Sequence, residues 1–192
     1  MRVVLDTNVL YGQFPRYLLL SLAVRGLLFP IWSPTILDEW YEVLTRDGFQ
    51  PDAVLKQRRK LETDWPEALV TAPLPPAPVG LELPDPDDWP IIATAIVGRA
   101  STILTYDQGH FPQRVLGPYG LRARHPDRWC ADLVRSSEDV ATDVYAGLRD
   151  HIADLRRPAP WTPEQYRAKL RELGFVELES GLPPDALRPP HR

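Results

Sequence analysis

Short apolar runs alternate with amphipathic stretches over the first two thirds of the chain, and the alternation sets out the elements. Val3-Val4-Leu5 is an unbroken apolar run of the kind found in buried parallel strands. Asn8 to Tyr11 reads as a turn, and Leu18, Leu22 and Leu28 recur at helical spacing, which predicts a helix over 17–28. Phe29-Pro30-Ile31-Trp32 is a second short strand. Ser33-Pro34 supplies a capping hydroxyl and a proline for the first helical position, so a helix is expected over 35–45, with Gly48 beyond its end. Another begins at Pro51-Asp52-Ala53 and runs to Leu61. The segment Val79 to Leu83 is a short strand or an extended loop. Asp87 or Asp88 caps a helix over 89–98, and Pro90 is tolerated in its first turn. Thr102 to Thr105 is rich in β-branched residues and predicts a strand, with a last edge strand over 120–123.

Strand and helix in this order predict an α/β fold with a parallel sheet and helices on both faces. Beyond Asp132 the pattern becomes helical. Val140, Val144, Leu148, Ile152 and Leu155 mark one amphipathic helix starting near Ser137, and Thr162-Pro163-Glu164-Gln165 is a capping box opening a second that Gly174 closes. Pro158-Ala159-Pro160 forms a hinge between them, and 180–192 reads as a loose tail. The expected organisation is a domain over 1–135, a helical extension over 136–175 and a Pro-rich tail over 176–192.

Composition narrows the classes. At 192 residues, 44% hydrophobic and 25% charged, the chain is a soluble globular type rather than a disordered one. Ten of its 22 prolines gather in 73–78, 158–160 and the last ten residues, and these clusters mark connectors and the terminus. A net charge of −4 argues against a protein that simply coats nucleic acid, yet it is compatible with a nuclease whose pocket is acidic. Lys56, Arg58, Arg59 and Lys60 fall on one helix face that can track phosphates, although a solvated face is the commoner use of such a run. One cysteine, Cys130, fits a reducing compartment, no leader opens the sequence, and the apolar stretch from Leu18 to Phe29 is broken by Arg25 and too short for a bilayer. A cytoplasmic protein is expected.

Four carboxylates stand at the edges of apolar segments: Asp6 after Leu5, Glu39 in the helix after Ser33-Pro34, Asp88 before Trp89-Pro90-Ile91-Ile92, and Asp107 after Tyr106. Taken singly, Asp6 and Asp107 are ordinary turn residues, Asp88 a helix cap and Glu39 an exposed charge. Taken together they are costly to gather, since two ionised carboxylates about 5 Å apart repel by roughly 3 kcal/mol at an effective dielectric near 20. A shared divalent cation, or protonation of some of the acids, removes that cost. Oxygen ligands select Mg²⁺ or Mn²⁺ over zinc, and His110, His125, His151 and His191 show no ligand spacing along the chain. A carboxylate-held cation suits phosphodiester hydrolysis.

Leu5-Asp6-Thr7-Asn8-Val9-Leu10, the Glu39 helix, Asp85-Pro86-Asp87-Asp88 with Ile91, Ile92, Ala93 and Ala95, and Thr105-Tyr106-Asp107 with Phe111 resemble, in that order, the PIN domain family over 2–132. The resemblance implies a PIN-like parallel-sheet α/β/α sandwich, here with a C-terminal helical extension, and an Mg²⁺- or Mn²⁺-dependent ribonuclease site. Carried over by position, Asp6, Glu39, Asp88 and Asp107 would be the metal-binding catalytic acids, with Asp6 and Asp88 direct ligands. Asn8 and Thr105 would orient them, and Asp87 is an alternative to Asp88. The resemblance further implies a VapC-like toxin of a toxin-antitoxin module, acting on tRNA, rRNA or mRNA, silenced by a cognate antitoxin and forming a homodimer. His110 and the bulky Tyr106 depart from the family pattern. The alternatives are a housekeeping RNA-processing nuclease and a non-catalytic RNA-binding module. A haloacid-dehalogenase-like phosphatase would need an acid two residues after Asp6, where Asn8 stands.

Overall fold

A computed structural model describes residues 1–155 and 161–188 of the chain. The elements run in the order β1 (Arg2–Leu5), α1 (Thr7–Tyr11), α2 (Gln13–Val24), β2 (Phe29–Ile31), α3 (Pro34–Arg46), α4 (Pro51–Asp64), α5 (Trp89–Val97), β3 (Thr102–Leu104), α6 (Gln113–Leu116), β4 (Arg122–Arg124), α7 (Pro126–Ser136), α8 (Glu138–Asp154), α9 (Pro163–Glu172) and α10 (Val176–Gly181). Single 3₁₀ turns lie at Pro66–Ala68, Pro86–Asp88, Gln108–His110 and Gly117–Tyr119. Among the described residues no helix is long and apolar enough to cross a membrane.

The chain divides into two compact units, one of residues 1–12 and 29–125, the other of 13–28 and 126–192. The first holds a four-stranded, all-parallel sheet in the order β2-β1-β3-β4. The two inner strands are wholly buried along Val3, Val4, Leu5, Ile103 and Leu104, which is why their sequences are continuous apolar runs rather than alternating ones. From β1 the chain crosses to β2 on one side, and from β3 it crosses to β4 on the other. The order of strands therefore reverses between β1 and β3, and the carboxyl ends of those two strands form a topological switch point. The ladder continues one step past each strand, with Asp6 N–H donating to the Leu104 carbonyl (3.1 Å) and Thr105 N–H to that of Arg124 (3.1 Å). The backbone at both positions is thereby fixed.

Helix α3 starts where the Ser33-Pro34 pair predicts, the Ser33 hydroxyl accepting from Ile36 N–H at 3.4 Å. Trp32, Trp40 and Trp89 are core side chains, as expected of aromatic residues in apolar runs. The indole of Trp40 donates to the Leu10 carbonyl (3.0 Å) and that of Trp89 to the Pro75 carbonyl (2.8 Å), which pins the proline-rich strap. Several expectations need correction here. The turn after Asp6 is itself helical, and α2 begins at Gln13 and ends at Val24 rather than spanning 17–28. Residues 79–83 form no strand. Asp88 is the residue capping α5, as one of the two expected alternatives had it, but its side chain makes no cap hydrogen bond, and Asp85 caps the preceding 3₁₀ turn by accepting from Asp87 N–H at 2.9 Å.

The second unit is helical. Gly147 of α8 allows close approach to α2, because a Cβ there would lie 2.9 Å from Leu22 Cδ2 and 3.3 Å from the Ser21 carbonyl oxygen. The Ser137 cap and the Thr162–Gln165 capping box form as read from sequence. Helix α7 was not expected; it presents Trp129, Cys130 and Ala131 inward. Nor is 180–188 a loose tail. Leu182, Ala186 and Leu187 are buried, Arg167 donates to the carbonyls of Leu182 and Pro183, and Arg149 to that of Ala186. The hinge at Pro158-Ala159-Pro160 and the last four residues lie outside the described residues.

Candidate active site

Asp6 leaves β1 and becomes the residue preceding α1, and its carbonyl accepts from Val9 and Leu10 N–H. Its side chain makes no cap bond. The same holds for Asp88 before α5 and for Asp107 before the 3₁₀ turn Gln108–His110. Three of the four predicted acids thus occupy capping positions without a side-chain cap bond, Asp6 accepting instead from the adjacent Thr7 N–H, so capping does not account for them.

Thr105, the residue after β3, organises the switch point. Its hydroxyl oxygen accepts from Asn8 Nδ2 (3.0 Å) and from Asp107 N–H (3.0 Å), and its proton goes to the Asp6 carboxylate. A hydroxyl has one donor and two acceptor positions, and here all three are taken. Asn8 is fixed in turn, because its Oδ1 accepts from Tyr106 N–H at 3.2 Å, which leaves the amide nitrogen facing Thr105. The predicted supporting pair, Asn8 and Thr105, therefore joins the loop after β1 to the loop after β3. Thr7, not singled out from the sequence, donates to Glu39 Oε2 (2.7 Å) and ties α3 to the same region.

The electrostatics follow from burial. Asp6 is 4% exposed, and burial pushes its carboxyl up to about 6, opposed by the Thr105 and Thr7 hydrogen bonds and reinforced by the charges of Asp88 and Glu39. Asp88 is raised as well, chiefly by desolvation. Its Oδ2 is buried and has no aligned hydrogen-bond donor, although His110 Nδ1 lies 2.9 Å away. The other ring nitrogen of His110 lies 3.2 Å from Asp107 Oδ2. Asp6, Glu39 and Asp88 therefore lie within one another's field, and His110 joins Asp88 to the exposed Asp107. Asp87 is exposed and points to no partner among these groups.

Among the described residues, the group whose ligand atoms all lie within 4.8 Å of one another is Asp85, Asp88 and His110, rather than a triple drawn from the four predicted acids. Asp85 and His110 were missed as site residues. For Asp85 the signal was its spacing of three from Asp88 across a 3₁₀ turn, where residues three apart eclipse. For His110 the local signal was its spacing of three from Asp107, whereas Asp88 and Asp85 stand 22 and 25 positions away and no spacing points to them. The buried Asp88 oxygen beside a second carboxylate and an imidazole fits a divalent cation.

The predicted RNA-facing residues lie on α4. Arg58 pairs with Asp38 and Glu62, and Lys60 with Asp64, while Lys56 and Arg59 are exposed. Two of the four charges are thus partly neutralised within the chain.

A family model described as PIN domain matches residues 2–109. A protein of Mycobacterium tuberculosis (strain ATCC 25618 / H37Rv) described as "Putative ribonuclease VapC50" is 32% identical over 97 residues, covering 45% of this chain and 55% of that protein. The chain therefore spans about half the length of the curated relative it matches. No solved structure matches significantly.

Proposed function

Since the chain belongs to the PIN domain family, we propose that it is a divalent-cation-dependent endoribonuclease that hydrolyses phosphodiester bonds in RNA. The observation that carries this reading is the proximity of Asp6, Glu39 and Asp88 beyond the ends of a parallel sheet's strands, close enough that the charges of Asp88 and Glu39 raise the Asp6 carboxyl. Asp6 and Asp88 hold Mg²⁺ or Mn²⁺, and Glu39 and Asp107 complete the acidic rim. When bound, the cation supplies an activated water and steadies the oxygen that leaves. Thr105 and Asn8 keep the Asp6 carboxylate in one orientation, and Thr7 does the same for Glu39. Preorganised ligands of this kind spare the site reorganisation during the reaction.

RNA as substrate is supported by the relative's description as a ribonuclease. We further propose, on the resemblance of its motifs to VapC-like proteins, that it acts as the toxin of a toxin-antitoxin module in the cytoplasm, works as a homodimer and is held in check by an antitoxin. The nuclease domain is assigned to 1–135, with the helices over 136–175 and the segment over 176–192 as its extension. Lys56 and Arg59 are the phosphate contacts offered by α4.

Purified protein should cleave structured RNA in the presence of Mg²⁺ or Mn²⁺, cleavage should stop with chelator, and Asp6→Asn should abolish it. Undiminished cleavage by Asp6→Asn would place the activity elsewhere. A short neighbouring reading frame encoding a DNA-binding protein should accompany a toxin, whereas its absence would favour an RNA-processing role.

A further inference from the structure

The 3₁₀ turn Pro86–Asp88 brings residues 85 and 88 to one side, and the 3₁₀ turn Gln108–His110 after β3 delivers an imidazole to them. One oxygen of Asp85 is occupied by Asp87 N–H, and the side chain still offers a ligand atom within 4.8 Å of those of Asp88 and His110. His110 is half-exposed, so its ring can be reached and can turn, while the Asp88 oxygen it faces is buried without an aligned donor. His110 Nδ1 lies 2.9 Å from that oxygen and Nε2 3.2 Å from Asp107 Oδ2, so the imidazole presents a nitrogen to the carboxylate on which the cation reading rests.

We propose that Asp85, Asp88 and His110 form a mixed oxygen and nitrogen cation site, and that His110 biases the centre toward Mn²⁺ and Co²⁺ over Mg²⁺. The inference rests on the cation-dependent reading above and deepens it by naming the ion class. Magnesium keeps to oxygen ligands and gives up water reluctantly, so an imidazole adds little to its binding. Later first-row divalent ions accept imidazole readily, and their affinity for a nitrogen-containing set rises from Mn²⁺ to Co²⁺. An all-carboxylate centre would lack this discrimination.

The test is calorimetric titration of the full chain with MnCl₂, CoCl₂ and MgCl₂, together with NMR of ¹⁵N-histidine-labelled protein. Wild type should bind Co²⁺ and Mn²⁺ more tightly than Mg²⁺, and substoichiometric Mn²⁺ should broaden the His110 ring signals ahead of those of His125. His110→Ala should weaken Co²⁺ and Mn²⁺ by ~10-fold or more, the scale on which loss of a group around a bound metal is felt, and leave Mg²⁺ affinity unchanged. Asp85→Asn should weaken Co²⁺ binding in the same direction. An equal loss for all three ions, or no change in His110→Ala, would overturn the proposal while leaving the nuclease reading standing. Absence of binding by any of the ions to wild type would overturn both.

Discussion

Replacing Asp6 by asparagine should make the cation-free protein more stable, even though it should destroy activity. The Asp6 carboxyl is buried and titrates at about 6 in the fold against an ordinary 3.8. The difference of about 2 units, at 1.36 kcal/mol each, is about 3 kcal/mol. The sign is that of a raised acid. The folded state holds this proton more tightly than the unfolded chain, so the stabilisation is complete below about pH 4 and is lost as the pH rises through 6. Asparagine cannot ionise, occupies the same volume and still accepts the Thr105 hydrogen bond. In chelator-treated protein at pH 8, urea unfolding should therefore show Asp6→Asn more stable than wild type by about 3 kcal/mol, and at pH 4 the gap should close. A variant no more stable than wild type at pH 8, or a gap of the same size at both pH values, would refute the claim that Asp6 is held in the fold against its own charge.

Removing the Thr105 hydroxyl tests the neighbouring step. Thr105→Val deletes a hydrogen bond to a charged acceptor worth about 1.5–3 kcal/mol, so the Asp6 carboxyl should rise by about 1–2 pH units above wild type in an NMR titration, and no rise would contradict the assigned bond. Gly147→Ala should destabilise the helical unit by about 1–3 kcal/mol in thermal unfolding, because the new methyl meets Leu22 and the Ser21 carbonyl. Asp127→Ala should cost about 1–3 kcal/mol, since its two oxygens accept from Glu177 and Leu178 N–H at 2.9 and 2.8 Å and hold the start of α10. Wild-type hydrogen exchange in α10 should accelerate in that variant and nowhere in the sheet.

What could be read from sequence was local. Continuous apolar runs gave β1 and β3, Ser33-Pro34 gave α3, and the Thr162 capping box gave α9, because each of those signals acts within four or five residues. The parallel sheet followed from the alternation of elements. Helix α7 carries a signal of the same local kind, with Pro126 in its first turn and Trp129, Cys130, Leu133 and Val134 recurring at three- and four-residue spacing, although it was not among the expected elements. The packed end of the chain was hidden. Leu182, Ala186 and Leu187 lie among prolines, and what holds them are carbonyls taken by Arg149 and Arg167 from other helices. At the site, Asp6 and Asp107 were legible as acids following strands, while Asn8 and Thr105 were singled out only through the family resemblance. That Asp85 caps a 3₁₀ turn ahead of α5, and that His110 faces Asp88, depend on how two short 3₁₀ turns are placed by the sheet, which no spacing along the chain reveals.

The central claim is that folding gathers these carboxylates so that they share a divalent cation. Anomalous diffraction from crystals soaked in MnCl₂ tests it most directly. The account predicts a manganese peak coordinated by Asp88 and shared with Asp6 at the carboxyl ends of β1 and β3. A map without a peak there, or with manganese bound only to acids elsewhere on the surface, would contradict it.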